Sequence, residues 1–186
     1  MSVSAVLQSI TTALDQSNIE YMLTGSFASA YHGTPRSTQD IDVVIEATPE
    51  QLRRFVHGLA VDQYYSDMDA ALQAHETESM FNVIDLPTGW KIDFILRKSR
   101  PFSRKEFRRR VRVDLQGVSV FVASAEDIVV AKLEWSRLAQ SQRQIDDAAA
   151  ILRARQETLD RSYIERWTRE LHLEDEWDKA RAAAGI

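Results

Sequence analysis

Two carboxylates separated by one residue stand at the start of an apolar stretch, residues 40–45 (DIDVVI). Residues i and i+2 of a β-strand point to the same face of a sheet, so Asp40 and Asp42 are expected to present their carboxylates to one place. A third acid, Asp93, lies inside another apolar run, residues 92–96. A lone aspartate in a buried strand is costly unless it is paired or binds a metal. Three convergent carboxylates indicate a site for Mg²⁺, which prefers hard oxygen ligands.

A turn that suits phosphate binding precedes the acid pair. An apolar strand over residues 19–23 leads into Gly25 and Ser26, and a short helix is predicted over residues 27–31. Because the N–H groups and the dipole at a helix N-terminus attract anions, we expect Gly25 and Ser26 to hold the phosphates of a nucleotide. Arg36 follows, and its guanidinium would either bind a phosphate or balance the charge of the carboxylates. This order of residues indicates metal-dependent phosphoryl or nucleotidyl transfer.

These motifs resemble the nucleotidyltransferase superfamily with the DNA polymerase β-type palm, and within it the abortive-infection and toxin-type branch. The resemblance rests on residues 23–28 (LTGSFA), 33–42 (GTPRSTQDID) and 91–93 (KID), and it spans residues 23–152. It implies an α+β fold, with a small mixed sheet flanked by helices as the palm and a helical C-terminal part. It also implies Mg²⁺ held by Asp40, Asp42 and Asp93, an NTP as co-substrate, and transfer of a nucleotidyl group to an acceptor hydroxyl.

Polar side chains on two C-terminal helices add to the candidate site. Lys132 interrupts an otherwise apolar helix predicted over residues 124–138. Its ammonium would either reach past the helix edge to solvent or, as in toxin-type members, face the nucleotide. Asp146 and Asp147 follow near the start of the next predicted helix, and we expect Asp146 to turn toward the site. The alternative for this acid pair is that it only complements the dipole at the helix start.

The remaining elements follow from hydrophobic periodicity and turn residues. Helices are predicted over residues 3–14, 48–59 and 69–75, and hairpins over residues 81–96 and 111–122, with a basic helix or loop over 103–110 between them. Beyond residue 122 the pattern is helical alone, over residues 124–138, 145–155, 162–171 and 174–184. We therefore divide the chain into a catalytic core, residues 1–122, and a helical part, residues 123–186, packed on it.

The composition excludes several classes of site. Cysteine is absent from the 186 residues, which rules out disulfides, thiolate metal ligands and a cysteine nucleophile. No apolar run approaches the ~20 residues that span a bilayer. The N-terminal residues do not resemble a signal peptide. We therefore expect a cytoplasmic protein without a membrane partner.

The charge pattern bears on the acceptor. The net charge is −5, yet nine basic residues and one acid lie between Arg97 and Arg112. This stretch would bind the backbone of an RNA acceptor or form a solvated charged surface. An RNA end such as the 3′ terminus of tRNA suits the toxin-type resemblance, which also implies a cognate antitoxin protein. Two alternatives stay open: a small-molecule acceptor, as in aminoglycoside or lincosamide nucleotidyltransferases, and an inactive nucleotide-binding or interaction module.

Overall fold

Within residues 3–33 and 38–186, the part of the chain that the computed structural model describes, the secondary structure falls into two units. The first comprises residues 3–24 and 38–122, and the second comprises residues 25–33 and 123–186. In chain order the elements are α1 (Val3–Gln16), β1 (Glu20–Leu23), α2 (Gly25–His32), β2 (Asp40–Glu46), α3 (Pro49–Gly58), β3 (Tyr64–Ser66), α4 (Met68–Thr77), β4 (Met80–Asp85), β5 (Trp90–Leu96), α5 (Pro101–Arg108), β6 (Val111–Leu115), β7 (Val118–Val122), α6 (Ala125–Ala139), α7 (Gln142–Ala154), α8 (Arg161–Glu170) and α9 (Glu174–Ala184).

All the described strands join one mixed sheet in the first unit. Their order is β3-β4-β5-β2-β1-β7-β6. Strands β2 and β5 are parallel, as are β1 and β7, and the other neighbours are antiparallel. A mixed sheet accompanied by helices confirms the α+β class and the palm-like architecture expected from the sequence.

Alternation along β2 and β5 gives the sheet one packed apolar face and one polar face. Helix α3 lies against the packed face, where the ring of Phe55 meets Phe94 edge to face with centroids 5.0 Å apart. Phe81 of β4 stacks on Phe94 at 5.2 Å. The packed face carries these buried residues of β2 and β5: Ile41, Val43, Ile45, Ile92, Phe94 and Leu96. The intervening positions of both strands therefore project from the opposite face.

Capping residues start two helices where the sequence predicts them. Thr48 and Gln51 form a reciprocal capping box at α3, with Pro49 in the first helical turn. At α6 the Ser124 side chain accepts a hydrogen bond from the backbone N–H of Asp127 at 3.2 Å. The carboxylate of Asp127 is fully buried in the second unit. It is satisfied there by hydroxyl donors, including Tyr163 at 2.5 Å, so this aspartate is structural.

The second unit is a bundle of five helices among the described residues, α2 and α6 to α9. Helices α6 and α7 pack against each other, α9 packs on both, and α2 contacts the same pair. Ala148 and Ala149 are buried on α7, and small side chains of this kind let neighbouring helices approach closely. None of the described helices in either unit combines the length and hydropathy that a membrane span requires.

Most predicted bounds agree with the structure to within two residues, and the differences at α2, α7 and β3 have physical reasons or bear on the site. Helix α2 begins at Gly25 rather than residue 27, and α7 begins at Gln142 rather than residue 145. Strand β3 was not predicted, because its three residues are too few to show a hydrophobic period. The basic segment, for which the sequence permits a helix or a loop, is helix α5, and its Phe102 and Phe107 are buried.

Phe94→Ala tests whether the packed face carries the stability of the first unit. Removing a fully buried phenylalanine that contacts two other rings is expected to cost about 3–5 kcal/mol of the free energy of unfolding. Val61→Ala, at a side chain that is 90% exposed, should change it by less than about 0.5 kcal/mol. Urea unfolding followed by circular dichroism measures both. A loss below about 1 kcal/mol for Phe94→Ala would contradict this packing.

Candidate active site

Parallel pairing of β2 with β5 brings the three predicted acids onto one face of the sheet. Asp42 is the register partner of Asp93, and Asp40 is the partner of Lys91. Partners in adjacent strands project to the same side, so these four side chains share the face opposite the packed apolar residues. The i, i+2 spacing predicted that Asp40 and Asp42 share a face, and the strand register adds Asp93 to them.

Asp93 is the most enclosed of the three carboxylates. It is 5% exposed, whereas Asp42 is half-buried and Asp40 is exposed. Oδ2 of Asp93 lies 2.8 Å from Nζ of Lys91. Its Oδ1 is buried and has no hydrogen-bond partner among the described residues. Leaving a buried acceptor without a donor costs free energy, on the order of 1–3 kcal/mol for a typical group, so this oxygen is poised to take a cation or a donor from a ligand.

Lys91 is a site residue that the sequence analysis missed. Its Nζ also lies 3.6 Å from Oδ1 of Asp40, so one ammonium bridges two of the three acids. Hydrogen bonding to Asp93 is the main cause that raises the pKa of Lys91 above its usual value, and the charge of Asp40 adds to it. The ammonium is therefore fully protonated at neutral pH. The i, i+2 spacing of Lys91 and Asp93 was the available signal.

The donor set suits Mg²⁺, but the carboxylates do not form a closed metal site as they stand. Carboxylate oxygens are the hard ligands that Mg²⁺ takes, and the orphaned Oδ1 of Asp93 lies on the face that Asp42 shares. Across residues 3–33 and 38–186, no group of three or more His, Asp or Glu side chains is arranged to hold a metal ion. Here the ammonium of Lys91 provides the positive charge that binds Asp40 and Asp93.

The predicted phosphate-binding turn opens a helix. The backbone N–H of Thr24, the residue after β1, donates to the carbonyl of Asp42 at 2.9 Å. Gly25, the first residue of α2, has φ of 58°, in the left-handed region that favours glycine. Ser29 Oγ donates to the Gly25 carbonyl at 2.7 Å and ties the first turn of the helix. Ser26 is the second residue of α2. Arg36, the other predicted phosphate ligand, lies outside the described residues.

Lys132 is held in a buried ion pair in the second unit. Its Nζ lies 2.8 Å from Oδ2 of Asp147, with side-chain exposures of 6% for the lysine and 11% for the aspartate. The ammonium therefore does not extend to solvent past the helix edge. Asp146 is exposed and accepts a hydrogen bond from Nε2 of Gln142 at 2.9 Å within α7. The acid beside Lys132 is thus Asp147, which lies ~100° further around the helix than Asp146, a difference in phase that the sequence pattern did not resolve.

Lys132→Met should destabilise the protein far more than Asp146→Asn. Removing the lysine deletes its ion pair with Asp147 in an enclosed site, and breaking a buried pair from one side costs about 3–5 kcal/mol. Asp146→Asn changes an exposed side chain and should alter the free energy of unfolding by less than about 0.5 kcal/mol. Urea unfolding of both variants measures the difference. Equal losses would contradict the assignment of Asp147 as the partner of Lys132.

Solved structures show the same fold. An antigenic nucleotidyltransferase-like protein from Paracoccidioides brasiliensis superposes with a TM-score of 0.56 at 15% identity, over 96% of this chain and 91% of that one. The solution structure of the antibiotic-resistance factor ANT(2'')-Ia gives 0.55 at 13% identity, over 96% and 99%. The crystal structure of ANT(2'')-Ia in complex with adenylyl-2''-tobramycin gives 0.52 at 13% identity, over 98% and 97%. No curated protein sequence is significantly similar to the chain.

A family model agrees with the acidic motif and the fold. The model described as a nucleotidyltransferase of unknown function, DUF6036, matches residues 1–182. This match covers nearly the whole chain, both the strands that carry the acids and the helices that carry the Lys132–Asp147 pair. The chain therefore belongs to the DUF6036 family and is an enzyme of the nucleotidyltransferase class.

Proposed function

We propose that the protein transfers an NMP from an NTP to an acceptor hydroxyl in an Mg²⁺-dependent reaction, with RNA as the acceptor. The observation that carries this proposal is the register pairing of Asp42 with Asp93, beside Asp40 on one sheet face. The orphaned Oδ1 of Asp93 supports a cation at that face. Membership of a nucleotidyltransferase family supports the reaction class.

The three carboxylates would bind the metal, and one of them would also act on the acceptor hydroxyl. Asp40, Asp42 and Asp93 would hold Mg²⁺, which neutralises charge on the triphosphate and activates an attacking oxygen when bound. Asp93 would also help to take the proton of the acceptor hydroxyl, because its enclosed carboxylate keeps one oxygen without a hydrogen-bond partner among the described residues. Lys91 would give up its contacts with Asp40 and Asp93 when the cation arrives.

The nucleotide side of the reaction is assigned to residues of the sequence motifs. Gly25 and Ser26 would hold the triphosphate through the N–H groups at the start of α2, and Arg36 would pair with a phosphate. Lys132 would contact the nucleotide with its ammonium oriented by the ion pair to Asp147. In this proposal Asp147 takes the place that the sequence analysis assigned to Asp146.

RNA is the favoured acceptor because of the basic stretch that follows β5. The resemblance to the toxin-type branch extends this proposal to the 3′ end of tRNA, to action in the cytoplasm, and to control by a cognate antitoxin protein. A second candidate is transfer to a small molecule, which is favoured by the fold shared with ANT(2'')-Ia, a protein seen in complex with adenylyl-2''-tobramycin. The intact set of three acids argues against the third alternative, an inactive binding module.

Incubation with each α-labelled NTP and Mg²⁺ separates these acceptors. The reactions would contain total tRNA, tobramycin or no added acceptor, with EDTA as the control for metal dependence. We expect label in tRNA that EDTA abolishes. Label in tobramycin alone would favour the small-molecule candidate, and no label with any NTP or acceptor would contradict nucleotidyl transfer.

Asp42→Asn and Asp93→Asn should each abolish most transfer without unfolding the protein. Each change removes a charge from the proposed metal site, so we expect a loss of at least about a hundredfold in kcat, the scale seen when one charge-stabilising group is removed. Asp69→Asn, at an exposed carboxylate on α4, is the matched control and should leave kcat unchanged. Rates of label incorporation and melting temperatures of all three variants measure this. Transfer at wild-type rates by Asp42→Asn would overturn the assignment.

Lys91→Met should make the response to Mg²⁺ stronger. Without the bridging ammonium the acids repel one another in metal-free protein, and Mg²⁺ no longer competes with Lys91 for Asp40 and Asp93. We expect the Mg²⁺-dependent rise in Tm to exceed that of the wild type by at least about 3 °C, which corresponds to about 1 kcal/mol in a chain of this size. The exposed Lys105→Met is the control. Equal rises in all three proteins would show that Lys91 and the metal do not share these carboxylates.

A further inference from the structure

A pocket lined by three arginines opens in the first unit, and none of the three aspartates of the candidate site lines it. It has a volume of about 180 Å³ and is lined by Glu46, Arg97, Arg104, Phe107 and Arg108. The lining contains three guanidinium groups and one carboxylate, so it carries an excess of positive charge. Guanidinium groups bind phosphate oxygens through paired hydrogen bonds, which makes a phosphate the chemistry that this lining suits best.

The arginines of this pocket differ in how they are held. Arg97 is fixed, because its Nη2 lies 2.6 Å from Oε1 of Glu46 and its Nη1 donates to the carbonyl of Lys98 at 3.1 Å. Its Nε is buried without a hydrogen-bond partner among the described residues. Arg104 and Arg108 are exposed and lie four residues apart on α5, so they project from the same side of the helix. One arginine is preorganised, and two are open to a ligand.

The pocket lies along the same strand as the acids. Glu46 ends β2 four positions after Asp42, so both side chains lie on the polar face of the sheet. Arg97 follows β5 in the same phase as Asp93, and its backbone N–H donates to the carbonyl of Ile45 at 2.9 Å. Four residues of strand span ~13 Å. A strand whose bases stay stacked as in a helix rises about 3.4 Å per nucleotide, so the span from Asp42 to Glu46 matches about four stacked nucleotides.

We propose that the Arg97, Arg104 and Arg108 pocket binds an internal phosphate of a single-stranded RNA acceptor, about four nucleotides from the hydroxyl that receives the NMP. The inference rests on the proposed function, which puts that hydroxyl at Asp42 and Asp93. A strand held at both places would lie along β2 and β5, across the half-buried side chains of Val44 and Ile95 that separate them. Binding at the pocket would set which end of the RNA reaches the carboxylates.

The test measures binding and transfer separately. Fluorescence anisotropy with a labelled single-stranded RNA compares wild type with the double variant Arg104→Gln/Arg108→Gln. The matched control is Arg53→Gln/Arg54→Gln, which removes the same charge from exposed positions of α3, the helix on the opposite, packed face. We expect the pocket variant to bind the RNA about tenfold more weakly. We also expect the slope of log K against log salt to fall by about 0.7 for one lost phosphate contact to a single strand.

Neutral methylphosphonate linkages locate the contact. Placed one at a time along the RNA, such a linkage should weaken wild-type binding most at about four nucleotides from the 3′ end. The same substitution should have no further effect on the pocket variant. In transfer assays the pocket variant should show a higher KM for RNA and a wild-type kcat. The rise in its Tm on addition of Mg²⁺ and NTP should also equal that of the wild type.

Three results would overturn the inference: no RNA binding by the wild type, equal losses in the pocket and control variants, or losses that do not depend on the position of the neutral linkage. Failure of the proposed function would look different. In that case no NTP would give transfer to any acceptor. The pocket variant would still bind RNA more weakly than the wild type, and the neutral linkage would still weaken wild-type binding at one position.

Discussion

Parallel pairing of β2 with β5 places Asp42 beside Asp93, and the grouping of the acids on one face of the sheet depends on that register. Side chains alternate between the faces of a strand, so a slip of one residue would turn Asp93 into the packed face and an apolar neighbour into the polar one. The contact of Phe94 with rings from α3 and β4 opposes such a slip, because it fixes which face of β5 is buried. The hydrophobic packing on one side of the sheet thereby holds the acids in place on the other.

Acids gathered on one sheet face repel one another unless a positive charge lies among them. Lys91 provides that charge for two of the three, and because it shares a strand with Asp93 its position follows from the same register. At the other end of the same face, Arg97 and Glu46 pair across β2 and β5 in the equivalent way. Two neighbouring strands thus carry both the carboxylates and the basic side chains that neutralise them. A cation bound to these acids would take the place of a lysine or an arginine, and a phosphate bound to these basic groups would take the place of a carboxylate.

The sequence predicts the elements better than the contacts between them. The acid pair on β2 could be assigned to one face because strand periodicity is local, and the capped start of α3 follows from residues three apart. Strand order is not local, so the bridging role of Lys91 could not be derived. The sequence likewise does not determine which side of α7 faces α6. Asp146 and Asp147 are adjacent in sequence, and only the packing of α7 on α6 decides which of them contacts Lys132. Strand β3 pairs at the edge of the sheet with too few residues to leave a pattern.

Charge density along the chain also overstates the basic surface. Arg97 and Arg110 form ion pairs with glutamates of β2 and β1, and Arg112 donates to a serine of β7, so these guanidinium groups are engaged within the first unit. The orientation of helix α5 determines which of its basic side chains are exposed. Its two phenylalanines are buried, and this phase turns Arg104 and Arg108 outward together. The charges of this stretch that remain exposed to solvent are therefore set by the apolar residues of α5, and not by the number of arginines.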